Sequence, residues 1–188
     1  IHSLESNAIE LRFLQKRKDP KATPLRERVI LSYGQRYKAE LSEGRLAEAA
    51  SYARKLVELD AKDAHSLLAT ARAMQSLRRR IDALIETAMA TEGEARGQRL
   101  DQVIQIHLAN PAAASGRALV SIAAHLLDSG RAKEALSVCN GAGRSQTNLA
   151  ADIKLELLAH EGAAQLAVGN TEAAIRSLQD VPELSPNH

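Results

Sequence analysis

Tryptophan is absent from the 188 residues, phenylalanine occurs once, at Phe13, and tyrosine three times, so aromatics make up 2% of the chain. With no alternating run of β-branched and aromatic residues either, strand-rich architectures are excluded. The same scarcity removes the stacking platforms on which single-stranded nucleic acid is bound. Cys139 is the sole cysteine, which rules out an intramolecular disulfide and any Cys-based zinc cluster and leaves the redox compartment open. Charge of one sign is also missing: 25 basic and 23 acidic side chains give a net charge of +2, and their mixing along the chain creates no long-range field. No run approaches the ~20 apolar residues of a membrane span, and no basic-apolar-small signal precedes a cleavage site. The chain opens with Ile1-His2-Ser3 rather than Met, so it reads as a piece of a longer protein. Localisation stays open between cytoplasm, periplasm and membrane association through an anchor outside these residues.

What the chain has in abundance is helix formers: Ala and Leu together supply roughly a third of it, well above ordinary usage. Apolar residues recur at helical spacing in Leu46, Ala49, Ala50, Ala53, Val57, in Leu100, Val103, Ile104, His107, Leu108, and in Leu119, Ile122, Ala123, Leu126, Leu127. Ala151, Leu155, Leu158, Gly162 and Leu166 form a further stripe, and Leu25, Val29, Tyr33, Tyr37 and Leu41 run at four-residue spacing along one long helix over 25–43 that should pack on both neighbours. Breaks are expected at Asp19-Pro20, Gly44, Asp60 to Asp63, near Arg78, at Gly93, Asn110-Pro111, Gly130, across Asn140 to Asn148 and at Gly169. They divide an all-α chain into about ten helices, mostly joined so briefly that neighbours pair as antiparallel hairpins.

One hexapeptide recurs. Gly44-Arg45-Leu46-Ala47-Glu48-Ala49 is echoed by Gly130-Arg131-Ala132-Lys133-Glu134-Ala135 and by Gly169-Asn170-Thr171-Glu172-Ala173-Ala174, and Arg78 to Ala83 repeats the spacing with Arg in place of Gly. Glycine lets the helix end turn into left-handed dihedrals, and the alanine five places on keeps the next helix close to its predecessor. The strides of 34, 52 and 39 residues between these turns are irregular, and the middle excess matches one extra helix at about Arg96 to Ala109.

These residues resemble the tetratricopeptide repeat (TPR), a 34-residue helix hairpin that stacks into a right-handed α-α superhelix with a concave binding face. The resemblance implies an N-terminal helix over 1–19, part of a truncated repeat or a cap, and a repeat domain over 25–188. Its repeats fall at about 30–63, 64–95, 116–147 and 155–188, with the extra helix at 96–110. Tyr33, Ala49, Leu56 and Leu59-Asp60 fit the first repeat, and Leu67, Ala71, Met74 and Ala83-Leu84 the second. Leu119, Ala123, Leu126, Ala135-Leu136 and Ala142 fit the third; Leu158, Gly162, Ala174-Ile175, Leu178 and Pro186 fit the last. The array is degenerate: the family's Trp is missing, Tyr37 stands where a small residue is usual, and Glu161 and Arg36 replace an expected Leu.

Carried over residue by residue, the family's groove positions are Leu31, Lys38 and Leu41, then His65, Leu68, Arg72 and Gln75. Arg117, Val120, Leu127 and Asp128 follow from the third repeat, and Glu156, Ala159 and Ala163 from the last. Aliphatic floor, small residues and scattered charge suit an extended or helical peptide. They do not match the basic and asparagine pattern by which some members clamp a C-terminal carboxylate.

Catalytic and cofactor chemistry finds little support in these residues. Gly141-Ala142-Gly143 reads as a helix-exit loop without the Lys and Ser/Thr of a phosphate cradle. Histidines 2, 65, 107, 125, 160 and 188 include no pair spaced for a shared metal, although His125 and His160 approach each other if the last hairpins stack. His107 and Cys139 read as core residues, and Glu156 and Glu161 form no acid-base pair. Lys16-Arg17-Lys18 and Arg78-Arg79-Arg80 are the basic clusters, the latter read as capping a helix end. No cofactor, metal or catalysis is expected, and nucleic acid is not the expected partner. The expectation is a non-catalytic scaffold or adaptor that binds a protein or peptide, with a bacterial look that suggests a secretion, envelope or exopolysaccharide assembly complex. Two alternatives remain: a regulatory or recruiting domain of a larger enzyme or transcription regulator, and a module that self-associates through Ile175 and Leu178, where the last helix ends near Pro182 and Pro186.

Overall fold

The computed structural model describes residues 2–145 and 149–179, with the side chains of 4–142 and 149–179. Pro182, Pro186 and His188 lie outside the described residues. Among those described there are nine α-helices, a 3-10 turn and no strands. They belong to two compact units, Ile1–Gln75 and Ser76–His188.

The first unit contains α1 (His2–Lys16), α2 (Ala22–Ser42), α3 (Leu46–Glu58) and the start of α4 (Ala64–Met89). Helix α2 packs on both α1 and α3, as its four-spaced stripe leads one to expect. Val29 and Tyr33 meet Leu11 of α1, Leu56 of α3 and Ala64 of α4 in one cluster. Tyr37 joins Ala49, Ala50, Ala53 and Ala71 in another, its hydroxyl donating to the Leu67 carbonyl at 3.1 Å. The bulky Tyr37 therefore fits because its partners on α3 and α4 are alanines. All three tyrosines serve this unit, with Lys55 lying 5.3 and 5.2 Å from the ring centres of Tyr33 and Tyr52.

The second unit holds the rest of α4, α5 (Glu94–Ala109), the 3-10 turn Pro111–Ala113, α6 (Gly116–Asp128), α7 (Ala132–Ser145), α8 (Ala151–Ala167) and α9 (Thr171–Gln179). Helices α6 and α7 pair, α8 packs on both of them, and α9 pairs with α8. This explains why the expected stripe on α8 holds only in part. Gly162 is buried as expected, but Ala151 and Leu166 are exposed and Leu155 and Leu158 only partly covered, whereas Ile153, Leu157 and Ala164 are buried. A helix covered from several sides is apolar on more than one face, and no single stripe describes it.

The hexapeptide turns behave alike. Gly44, Gly130 and Gly169 have φ of 68°, 72° and 83°. At each, the glycine N–H bonds the carbonyl three residues back and the next N–H bonds the carbonyl five back, at 3.1 and 2.8, 2.9 and 2.7, and 3.0 and 2.8 Å respectively. This is the Schellman closure of a helix end. Lys18 (φ 52°) and Asp60 (φ 48°) close α1 and α3 with the same two bonds, in left-handed conformations that cost a side-chain-bearing residue roughly 1–2 kcal/mol. The alanines that follow three of these turns, Ala49, Ala135 and Ala174, are buried to 1% exposure or less.

The fourth expected turn does not form. Helix α4 runs without interruption past Arg78, so the segment 64–95 contains one long helix instead of a hairpin. No Gly or Pro interrupts Ala64 to Met89, and three arginines are good helix formers. Ala64 and Ala71, and again Ile81 and Ala88, are buried about two helical turns apart, and Ala83 lies opposite Ile81 and Ala88 on the exposed side. The expected exit loop at Gly141-Ala142-Gly143 is likewise helical, inside α7, where Ala142 is buried at 2% exposure.

Leucine at Ala135 or Ala174 should overpack the helix contact and lower stability by about 1–3 kcal/mol. Ala83→Leu, on the exposed side of α4, should change it by about 0.5 kcal/mol or less. Urea unfolding of the three variants checks this, and equal stability of all three would remove the close-contact role of the two buried alanines.

Candidate functional site

In the first unit, Leu31 and Lys38 lie on the side of α2 away from Val29, Tyr33 and Tyr37, and both are exposed; Leu41 is partly covered by the second cluster. His65 and Arg72 of α4 are also exposed. Two neighbours are turned inward instead. Leu68 packs against the Tyr37–Ala71 cluster, and Gln75 donates to the Leu46 carbonyl at 3.1 Å. The reason is helical phase: Leu68 and Gln75 stand one turn from the buried Ala71, on the same side of α4.

In the second unit, Arg117 and Val120 of α6 and Glu156 of α8 line a common cleft of about 240 Å³, together with Ser121, Asp152 and Ile153. A wider cleft of about 790 Å³ continues from Arg117 toward Ile85 and Met89 on α4. Helix α6 thus brings its expected residues to α8 because the two helices pack side by side. Leu127 lies at the far end of α6, partly buried, with Asp128 exposed beside it, and Ala159 and Ala163 are exposed on α8. Asp152, Ser121 and Met89 escape sequence reasoning. Of these, only the exposed Met89 carries a signal, as an apolar residue off the buried stripe of α4.

The start of α6 is held by α4. Arg78 donates to the carbonyls of Ala113, Ala112 and Ala114 at 3.0, 3.1 and 3.3 Å, answering the C-terminal end of the 3-10 turn with a cation. Four residues on, Asp82 accepts a 2.9 Å bond from the Ser115 hydroxyl, which itself accepts from the Ala118 N–H at 3.2 Å and caps α6. The capping role expected for Arg78 is therefore met, but at another helical segment and not at the end of its own helix.

The arginines that follow two of the turn glycines fold back on carboxylates. Arg45 binds Glu40 and Glu43, leaving the buried Glu40 compensated. Arg131 takes Glu134 at 2.8 and 2.7 Å and Asp101 of α5 at 3.1 Å. The Glu134 carboxyl is held below its ordinary value by that hydrogen-bonded guanidinium. His125 faces Asp101 as well, at 3.6 Å.

Cys139 is buried, and burial, with the Glu161 charge adding, pushes its thiol up to about 12; the thiolate needed for nucleophilic attack is not available at neutral pH. Among the described residues no group of three or more His, Cys, Asp or Glu is placed to hold a metal ion, and no helix is long and apolar enough to cross a membrane. In the basic clusters, Arg17 stacks over the Phe13 ring at 4.3 Å, while Arg79 and Arg80 are exposed. No family model, curated protein or solved structure matches the chain.

His107 is buried, as its place on an apolar stripe implies, and burial holds its pKa below the ordinary histidine value. As pH falls, the unfolded chain takes up this proton first, so stability is lost progressively below pH about 6.5 and is unaffected by this group above it. His107→Leu should flatten that part of the dependence. Urea midpoints at pH 7.5 and 5.0 for parent and variant measure the difference, and an identical pH drop in both would show that the histidine is not buried in its neutral form.

Proposed function

We propose that the protein is a non-catalytic interaction scaffold of the TPR-like kind, built from helical hairpins, and that it binds a protein segment along its first-helix faces. The observation that carries this reading is the recurrence of one device: a left-handed glycine closing a helix, then a fully buried alanine in the next, at Gly44, Gly130 and Gly169. A repeated hairpin with small contact residues is the unit from which stacked helical arrays are made. The superhelical arrangement is part of the proposal, as is a setting in a bacterial secretion, envelope or exopolysaccharide complex.

Within the second unit the proposed contact surface is the cleft of Arg117, Val120 and Glu156. Its mixed charge and aliphatic floor suit a peptide with both apolar and charged side chains. The test is capture of a partner from lysate of the source cell with the parent chain as bait, beside Arg117→Glu and, in the first unit, Arg72→Glu. A partner held by the parent and lost by folded Arg117→Glu is the expected result. Equal capture by the parent and both variants would move the binding surface elsewhere on the protein.

A second reading, self-association, is favoured by a different observation. Ile175 and Leu178 on α9 are 50% and 43% exposed, and Leu166 and Val168 at the end of α8 are exposed too. Apolar surface left open on a helical hairpin is where another copy can stack. Light scattering over a concentration series is expected to show a mass rising above one chain in the parent and not in Ile175→Lys. A constant single-chain mass for the parent would eliminate this reading.

A further inference from the structure

Ile104 and His107 of α5, Leu119 and Leu126 of α6, and Val138 and Ala142 of α7 line a cavity of about 410 Å³ within the second unit. Of its other lining residues, Leu108, Pro111, Ser137 and Gly141 are exposed and form its solvent-facing rim. The volume falls in the range of small-molecule sites, which are typically apolar with a few polar groups that set orientation.

Three features narrow what the cavity accepts. Apart from His107, the other five wall residues are aliphatic, so the occupant is mainly apolar. Among the described lining residues Glu134 is the one carboxylate, and it is engaged by Arg131 through two hydrogen bonds of 2.8 and 2.7 Å, so no unpaired charge faces the cavity from it. His107, 8% exposed, has a buried Nδ1 with no hydrogen-bond partner. Native proteins rarely leave a buried polar atom unanswered, because its lost hydration is not replaced. At the rim, Ser137 and Gly141 are small and exposed, and a Cβ built on Gly141 meets nothing within 4 Å.

We propose that this cavity binds an uncharged, mainly apolar small molecule of ring size that brings one hydrogen-bonding group to His107. The site is distinct from the Arg117 cleft and does not depend on the scaffold reading. Helix α6 separates the two, with Leu119 and Leu126 toward the cavity and Arg117 and Val120 toward the cleft.

N-phenyl-1-naphthylamine is a suitable probe, being uncharged, with one N–H and a fluorescence that rises in apolar surroundings. Titrated into the full chain, it should saturate at one molecule per chain. Ser137→Leu sets an aliphatic side chain at the rim on an exposed helix face, and His107→Leu removes the nitrogens while keeping the wall apolar. Each should weaken binding by about tenfold or more, with the thermal melt of Ser137→Leu close to that of the parent. Absence of saturable binding to the parent, or equal affinity in Ser137→Leu, overturns the proposal and leaves the cavity to an apolar side chain of a partner segment. Affinity unchanged in His107→Leu alone overturns the histidine as the polar contact. Binding of several probes per chain, insensitive to both substitutions, reports adsorption to exposed apolar surface and also overturns it.

Discussion

The closeness with which consecutive helices approach one another is the constraint on which the rest of this protein depends. With few aromatics and cores made largely of Ala, Leu and Ile, packing is dense only if helix axes come near, and the buried alanines after the turns at Gly44, Gly130 and Gly169 permit that. Gly162 shows the same demand on α8, where a Cβ would come within 2.8 Å of the Leu178 side chain. The Schellman turns serve this approach by satisfying the last carbonyls of one helix while reversing the chain within a few residues.

One connection without that turn is held by a cation. The segment between α5 and α6 has no left-handed glycine, and the carbonyls of Ala112 to Ala114 are instead answered by Arg78. Arg26 reaches the carbonyls of Leu59 and Asp60 at the end of α3 as well, there beside the Schellman turn that already closes the helix. Guanidinium groups suit this position because they carry several donors in a fixed plane and favour the negative end of a helical segment. Arg78 and Asp82 together set the start of α6, and with it the place of Arg117.

Helix α6 is the element through which the candidate surfaces are related. One flank meets α8 and presents Arg117 and Val120 beside Glu156. Another presents Leu119 and Leu126 to the cavity that holds His107. A polar cleft and an apolar cavity can coexist on opposite flanks of one helix because side chains three and four apart share a face while those two apart do not.

The sequence by itself determined the helical character, the three glycine turns, the alanines that follow them and the inward placement of Val29, Tyr33, Tyr37 and His107. These are local properties, set by dihedral preference and by the 3.6-residue period. Tertiary structure decided the rest. An arginine run at 78–80 has the same spacing to Ala83 as the glycine turns, yet only the burial of Ile81 and Ala88 along a continuous stripe shows that no turn occurs. Leu68 and Gln75 look equivalent to His65 and Arg72 until the phase of α4 against α2 and α3 turns the first two toward the buried Ala71 and leaves the other two at the exposed edge of the same flank. An Arg and an Asp four apart on a helix suggest a local ion pair, but Arg78 and Asp82 reach across to 112–115. A cleft or cavity is shaped by residues distant in the chain, and which of them converge depends on which helix faces meet, a property that no local spacing encodes.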